Sequence, residues 1–232
     1  MKAYRVLSHD TAPSFEAVNA PDPQAGEIRV AIQACGLNFA DLLMVTGTYQ
    51  DTPSLPFTLG MEVAGEVDAV GDGVTGFAVG DRVAVFGGQG GLAQYGCFDA
   101  QRAVKLPAAM SMVDAAAFQI AYGTSHLALD HRARLDPGET LLVLGAAGGV
   151  GLTAVEIGKL MGATVVACAR GAEKLKVAKR AGADHLIDAE TQDIRAEMKA
   201  IGGADVVYDP VGGEQFTAAF RACKPEARVL TI

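Results

Sequence analysis

Leu141-Leu142-Val143-Leu144-Gly145-Ala146-Ala147-Gly148-Gly149-Val150-Gly151 decides how this chain is read. A continuous apolar run flows into a glycine-rich turn, and apolar residues at helical spacing follow at once. That order of elements suits a dinucleotide pyrophosphate. Glycines turn the backbone tightly and let phosphates come close, while the free N–H groups and positive end of the new helix face the anion. Against the pattern G-x-G-x-x-G, Ala146 takes the first glycine's place, and Gly148 and Gly151 hold the second and third. Ala147, Gly148, Gly149, Val150 and Gly151 are the candidate phosphate-binding residues. A lone match of this kind is weak; the strand before it, the helix after it and a second strand at Thr164–Ala169 strengthen it. The competing reading is a glycine-rich turn that binds nothing.

The 232 residues hold 19 Lys and Arg against 27 Asp and Glu, a net charge of −8. No basic cluster offsets that balance, which argues against a nucleic acid or an acidic membrane surface as partner. Met1–Leu7 has two early cations but no long apolar core, so it does not read as a signal peptide. No apolar stretch is long enough to cross a bilayer. Cys35, Cys97, Cys168 and Cys223 lie far apart without a C-x-x-C pair, as reduced thiols would. The expectation is a soluble cytoplasmic protein.

Two rhythms divide the chain. Up to about Phe118, short strands alternate with turn signals such as Pro21-Asp22-Pro23, Gly71-Asp72-Gly73 and Gly87–Gly91. Glu27–Gly36, Glu62–Val70, Val83–Phe86 and Leu92–Phe98 read as strands, with one helix from Phe39 to Val45, giving a mostly antiparallel β domain. From about Ala121 long βα units take over. Strands are expected at Leu141–Leu144, Thr164–Ala169, His185–Ile187, Asp205–Tyr208 and Arg228–Ile232. Helices are expected at Gly149–Met161, Glu173–Ala181, Ile194–Ala200 and Gln215–Cys223. Strands alternating with helices imply a doubly wound parallel sheet, so the fold class is α/β, with domains at 1–121 and 122–232. Five strands can be placed where a full dinucleotide fold has six. The chain stops inside the apolar run Val229–Ile232, from which a missing C-terminal portion is expected.

Selection between the two nicotinamide cofactors falls at the end of the second strand. An acidic residue there would accept hydrogen bonds from ribose hydroxyls; this chain has Arg170. A guanidinium cannot accept a hydrogen bond but suits a 2′-phosphate, and Lys174, one turn into the next helix, adds a second cation. NADPH is the expected cofactor. The competing readings are a solvated strand-end arginine and an exposed lysine beside Glu173.

Several further motifs together resemble one family. They are Cys35-Gly36-Leu37-Asn38-Phe39-Ala40-Asp41, Gly60-Met61-Glu62-Val63-Ala64-Gly65, Val79-Gly80-Asp81-Arg82-Val83 and Ala121-Tyr122-Gly123-Thr124. With the glycine-rich turn they resemble the medium-chain dehydrogenase/reductases, most of all the zinc-independent, zeta-crystallin-like quinone oxidoreductases. The resemblance implies a GroES-like catalytic domain, a Rossmann cofactor domain with the active site in the cleft between them, and a homodimer in the full-length form. Zinc-dependent relatives place a cysteine where Asn38 stands and a histidine where Met61 stands. An amide and a thioether are poor zinc donors, and His9, His126, His131 and His185 show no ligand spacing, so no metal is expected.

The same resemblance places Asn38 beside the nicotinamide, Tyr49 in the substrate pocket, Thr124 against the cofactor, and Asp209 and Val211 near its ribose. Each has a bland alternative. Asn38 and Asp41 read equally as a helix capping box, with Asp41 reaching back. Tyr49 reads as a surface-loop tyrosine, Thr124 as a helix cap, and Asp209–Gly213 as a plain turn. Asn38, Tyr49 and Asp41 are the catalytic candidates. Without a metal, the fitting reaction is hydride transfer to an acceptor that is already electrophilic, a quinone or an α,β-unsaturated carbonyl. Rival readings are an enone, enal or acryloyl-CoA reductase, and a non-catalytic NADPH-binding protein of crystallin-like or redox-sensing type.

Overall fold

The computed structural model describes residues 1–232, which fall into two compact units, Met1–Ile120 and Ala121–Ile232. In the first unit, β1 (Lys2–Val6), β2 (Ser14–Ala17), β3 (Glu27–Gly36), α1 (Phe39–Val45) and β4 (Phe57–Thr58) come first. They are followed by β5 (Glu62–Val70), β6 (Arg82–Phe86), β7 (Tyr95–Asp99), β8 (Ala103–Lys105) and α2 (Met112–Ala116). One five-stranded sheet has the order β7-β3-β5-β6-β8 and a second, three-stranded one β2-β1-β4, with every pair antiparallel. Alternation explains β3: Ile28 and Val30 point into a core with Val63, Val67, Val83, Val85 and Phe98.

The second unit contains α3 from its third residue onward (Gln119–His126), then β9 (Thr140–Leu144), α4 (Gly149–Leu160), β10 (Thr164–Ala169) and α5 (Ala172–Arg180). It continues with β11 (His185–Asp188), α6 (Ile194–Ala200), β12 (Ala204–Asp209), α7 (Gly213–Phe220) and β13 (Cys223–Thr231). All five strands are parallel, in the order β11-β10-β9-β12-β13. Central β9 is buried on both faces. Leu141 and Val143 pack with Val155 of α4 and Ala178 of α5, while Leu142 and Leu144 pack with Met198 of α6 and Ala219 of α7. The sheet is therefore doubly wound, as the continuous apolar run Leu141–Leu144 requires. No helix is long and apolar enough to cross a membrane.

Several sequence expectations needed correction. The strand expected at Leu92–Phe98 begins at Tyr95, because Leu92 and Ala93 face β1 instead: Tyr4 N–H donates to Leu92 O at 2.8 Å, and Ala93 bridges Ala3. The helix expected at Gln215–Cys223 runs from Gly213 to Phe220, and Cys223 already belongs to β13. That strand was expected only from Arg228. It pairs from Cys223 through a register shift, and Glu226 takes a positive φ of 65°. Proline is tolerated there because β13 lies at the edge of this sheet and the pairing is irregular. Helix α2, not anticipated, is capped by Ser111, whose Oγ accepts the Asp114 N–H at 3.1 Å.

Leu142 is fully buried on the α6–α7 face of β9. Leu142→Ala is expected to destabilise the protein by about 2–5 kcal/mol, read as a lower urea midpoint at unchanged slope. A midpoint within error of wild type would mean that this face is not packed as described.

Candidate functional site

At the end of β9 the chain must turn sharply, and Gly145 does so with φ at +58°. Ala146 is fully buried and donates its N–H to Cys168 O of β10 at 3.0 Å, so a methyl group is accommodated at the motif's first position. Gly148 N–H closes the turn onto Gly145 O at 2.9 Å. Gly151 is obligatory for a steric reason, since a Cβ there would sit 2.3 Å from Gly145 O. Gly148 is the N-cap of α4 and has no side chain to cap with; the first helical bond runs from Leu152 N–H to Gly148 O. The N–H groups of Gly149, Val150 and Gly151 thus have no backbone partner, the condition for anion binding at a helix start.

A crevice of about 360 Å³ lies over this turn, lined by Gly145, Ala147, Gly148, Ala169, Arg170, Lys174, Val211 and Gln215. It opens at the carboxyl ends of β9, β10 and β12, where the strand order reverses. In open α/β sheets that is where ligands bind. Arg170 and Lys174 are exposed, and neither is paired with an acidic group. Glu173, the carboxylate nearest Lys174 in sequence, pairs with Lys176 at 2.6 Å instead. Just beyond Arg170, the Gly171 N–H donates to Asp188 Oδ1 at 3.0 Å. The N–H groups of Gly171 and Glu190 hold the Asp188 carboxyl below its usual range. Arg170 thus stands on a turn pinned from below, and Lys174 on the first turn of α5.

Val211 lines the crevice, but Asp209 lies beneath the turn, with Oδ1 accepting the Val211 and Gly212 N–H groups, each at 2.8 Å. Thr124 is the sixth residue of α3, half-buried, and so cannot be its N-terminal cap. In the first unit only the reach-back half of the expected capping box forms: Asn38 N–H donates to Asp41 Oδ2 at 2.8 Å, while the Asp41 N–H goes to the Asn38 backbone carbonyl at 3.0 Å and the Asn38 side chain caps nothing. Tyr49 is half-buried against Met44 and Met61, not simply exposed. It borders a 500 Å³ cavity with Phe86, Gln89 and Arg102.

Three residues escaped the sequence reading. Gly145, not the motif's first position, supplies the left-handed turn. Gln215 reaches the crevice from α7, which no local pattern announces. Glu62 opens β5, a strand that also carries Glu66 and Asp68, so its charge does not single it out; it is buried and bonded to Asn38.

The family model for the alcohol dehydrogenase GroES-like domain matches residues 24–108, and that for the zinc-binding dehydrogenase matches residues 149–232. A quinone oxidoreductase-like protein 2 homolog of Nematostella vectensis is 42% identical over 195 residues, covering 82% of this chain and 53% of the relative. The synaptic vesicle membrane protein VAT-1 homolog of Homo sapiens is 38% identical over 213 residues, 91% of this chain and 54% of that protein. The chain thus spans about half the length of these curated relatives. The quinone oxidoreductase of Escherichia coli, solved in complex with NADPH, superposes with a TM-score of 0.94 at 31% identity, over 100% of this chain and 72% of that one.

The crevice over the glycine turn, with free amides at the start of α4 and two unpaired cations, suits a phosphorylated dinucleotide. Zinc does not fit. No three His, Cys, Asp or Glu side chains converge as metal ligands, and both Asp41 and Glu62 already accept N–H groups.

Burial pushes the Cys35 and Cys168 thiols up to about 12. At pH 8 only about one part in ten thousand is then thiolate, the reactive form. Both are expected to resist iodoacetamide in the folded protein and to react in denaturant, as mass spectrometry would report. Labelling of the native protein at the rate of free cysteine would contradict this burial.

Proposed function

The chain belongs to the medium-chain dehydrogenase/reductase family, with quinone oxidoreductases among its relatives, and on that premise we propose that it transfers hydride from NADPH to a quinone or similarly electrophilic acceptor without zinc. The observation that carries this reading is the crevice over the glycine turn, with Arg170 and Lys174 side by side and unpaired. Bound NADPH would supply the hydride.

The chain's own groups divide the remaining work. Amides at the start of α4 would hold the pyrophosphate, and the two cations the ribose 2′-phosphate. Val211 and Ala169 offer apolar surface for the adenosine. Asn38, with Thr124, would orient the nicotinamide end. The cavity beside Tyr49 would seat the acceptor: Met44, Met61 and Phe86 give it apolar walls, and the phenol a hydrogen bond to the acceptor oxygen. Catalysis would rest on position and on exclusion of water, with the proton drawn from solvent. We assign a reducing cytoplasm as the compartment, since all four cysteines are free.

NADPH oxidation followed against a panel of quinones, enones and acyl-CoAs tests the reaction and separates it from its rivals. Turnover with quinones is expected; cofactor binding without turnover on any acceptor would leave a non-catalytic protein. Charged hydrogen bonds contribute about 1.5–3 kcal/mol each. Arg170→Asp is therefore expected to weaken NADPH binding about ten- to a hundred-fold while sparing NADH, as calorimetry with both cofactors would show. Unchanged preference for NADPH would remove Arg170 from its assigned role.

A further inference from the structure

Two buried carboxylates in the first unit converge on one residue. Glu62 is 3% exposed and Asp41 6%, and neither meets a lysine, arginine or histidine. A carboxylate without a cation is costly to bury unless N–H donors replace its water. Here they do. Asp41 accepts the Asn38 N–H at Oδ2 and the Gly60 N–H at Oδ1, at 2.8 and 3.1 Å. Glu62 accepts the Asn38 side-chain amide at Oε1 and the Ile120 N–H at Oε2, both at 3.0 Å. Space for Glu62 depends on Gly36, where a Cβ would lie 2.5 Å from Oε1.

Holding the Ile120 N–H needs only one acceptor, which a neutral glutamine would supply. A carboxylate adds an acceptor on its other side as well. Ionised, it has only lone pairs to offer, so the Asn38 carboxamide must turn its nitrogen toward Glu62 and its oxygen away. The amide's two orientations, otherwise close in energy, are reduced to one. The helix cap meanwhile fixes the backbone that carries it.

We propose that Glu62 is a positioning residue, holding the Asn38 carboxamide in the one orientation that orders the nicotinamide end of the cofactor; this rests on the hydride-transfer reading above. Glu62 touches neither cofactor nor acceptor and acts through Asn38.

A double-mutant cycle tests this, with NADPH oxidation kinetics and the thermal midpoint measured on each protein. Glu62→Gln keeps the acceptor for Ile120 but turns an N–H toward the Asn38 amide, so two donors collide and Asn38 must rotate. We expect kcat/KM to fall about ten- to a hundred-fold with a near-native midpoint. In an Asn38→Ala background the same change is expected to cost nothing further. Losses that multiply, or wild-type kinetics in Glu62→Gln, would overturn the proposal.

If Glu62→Gln alone fails to fold, Asn38→Asp replaces it. That variant sets two carboxylates against each other, and adding Glu62→Gln restores a donor–acceptor pair with its direction reversed. Partial recovery of activity in the double variant is expected, and no recovery would overturn the proposal. A wild-type protein inactive with every acceptor overturns the hydride-transfer reading and this inference with it. Wild-type turnover with multiplying losses overturns the inference alone.

Discussion

The carbonyl of Gly145 occupies the space that any side chain at position 151 would need. That one close approach sets the distance between the end of β9 and the first turn of α4. The amides of Gly149, Val150 and Gly151 are thereby left facing outward, with no backbone partner. The crevice, the two cations that line it and Val211 are all arranged about that turn. Its counterpart beneath is Ala146, pinned to Cys168 of the neighbouring strand. A glycine-rich turn is flexible as a peptide, but this one is held from both sides.

A second set of contacts stiffens the unit behind the turn. Tyr208 of β12, Ser125 of α3 and Thr153 of α4 meet through hydroxyl contacts of 2.9 and 2.8 Å, and Thr153 continues to Ala121 O at 3.0 Å. Three hydroxyl protons running one way, from Tyr208 to Ser125 to Thr153 to Ala121, satisfy every member. Buried polar networks are stabilising only when complete. This one ties α4 to a sheet strand and to α3, so the helix that presents the free amides cannot slide along its axis without breaking it.

The first unit solves a different problem. Its five-stranded sheet is filled by Ile28, Val30, Val63, Val67 and Phe98, and nothing in that core requires a charge. Yet the same unit buries two carboxylates, each hydrogen-bonded by N–H donors alone. Sequence spacing made the Asn38–Asp41 half of this arrangement legible, because a capping box is a local pattern of four residues. The Glu62 half was not legible. Glu62 lies 24 residues from Asn38, and their bond exists only because β3 and β5 pair in the register that sets Gly36 opposite Glu62.

What the residues determined by themselves is the alternation of strand and helix and the place of the glycine turn. Strand β10 (Thr164–Ala169) and helix α6 (Ile194–Ala200) were bounded to the residue, because periodicity and glycine punctuation act over a few positions. Arg170 as the strand-end cation followed from counting alone. What tertiary structure decided is which groups share a surface. Gln215 reaches the crevice because β12 lies beside β9, Asp209 is turned under its own loop, and Glu62 finds Asn38 across a sheet. Strand order and register are long-range choices, made by burying two apolar faces at once. A pattern read along the chain registers its near neighbours and is blind to contacts that only packing creates.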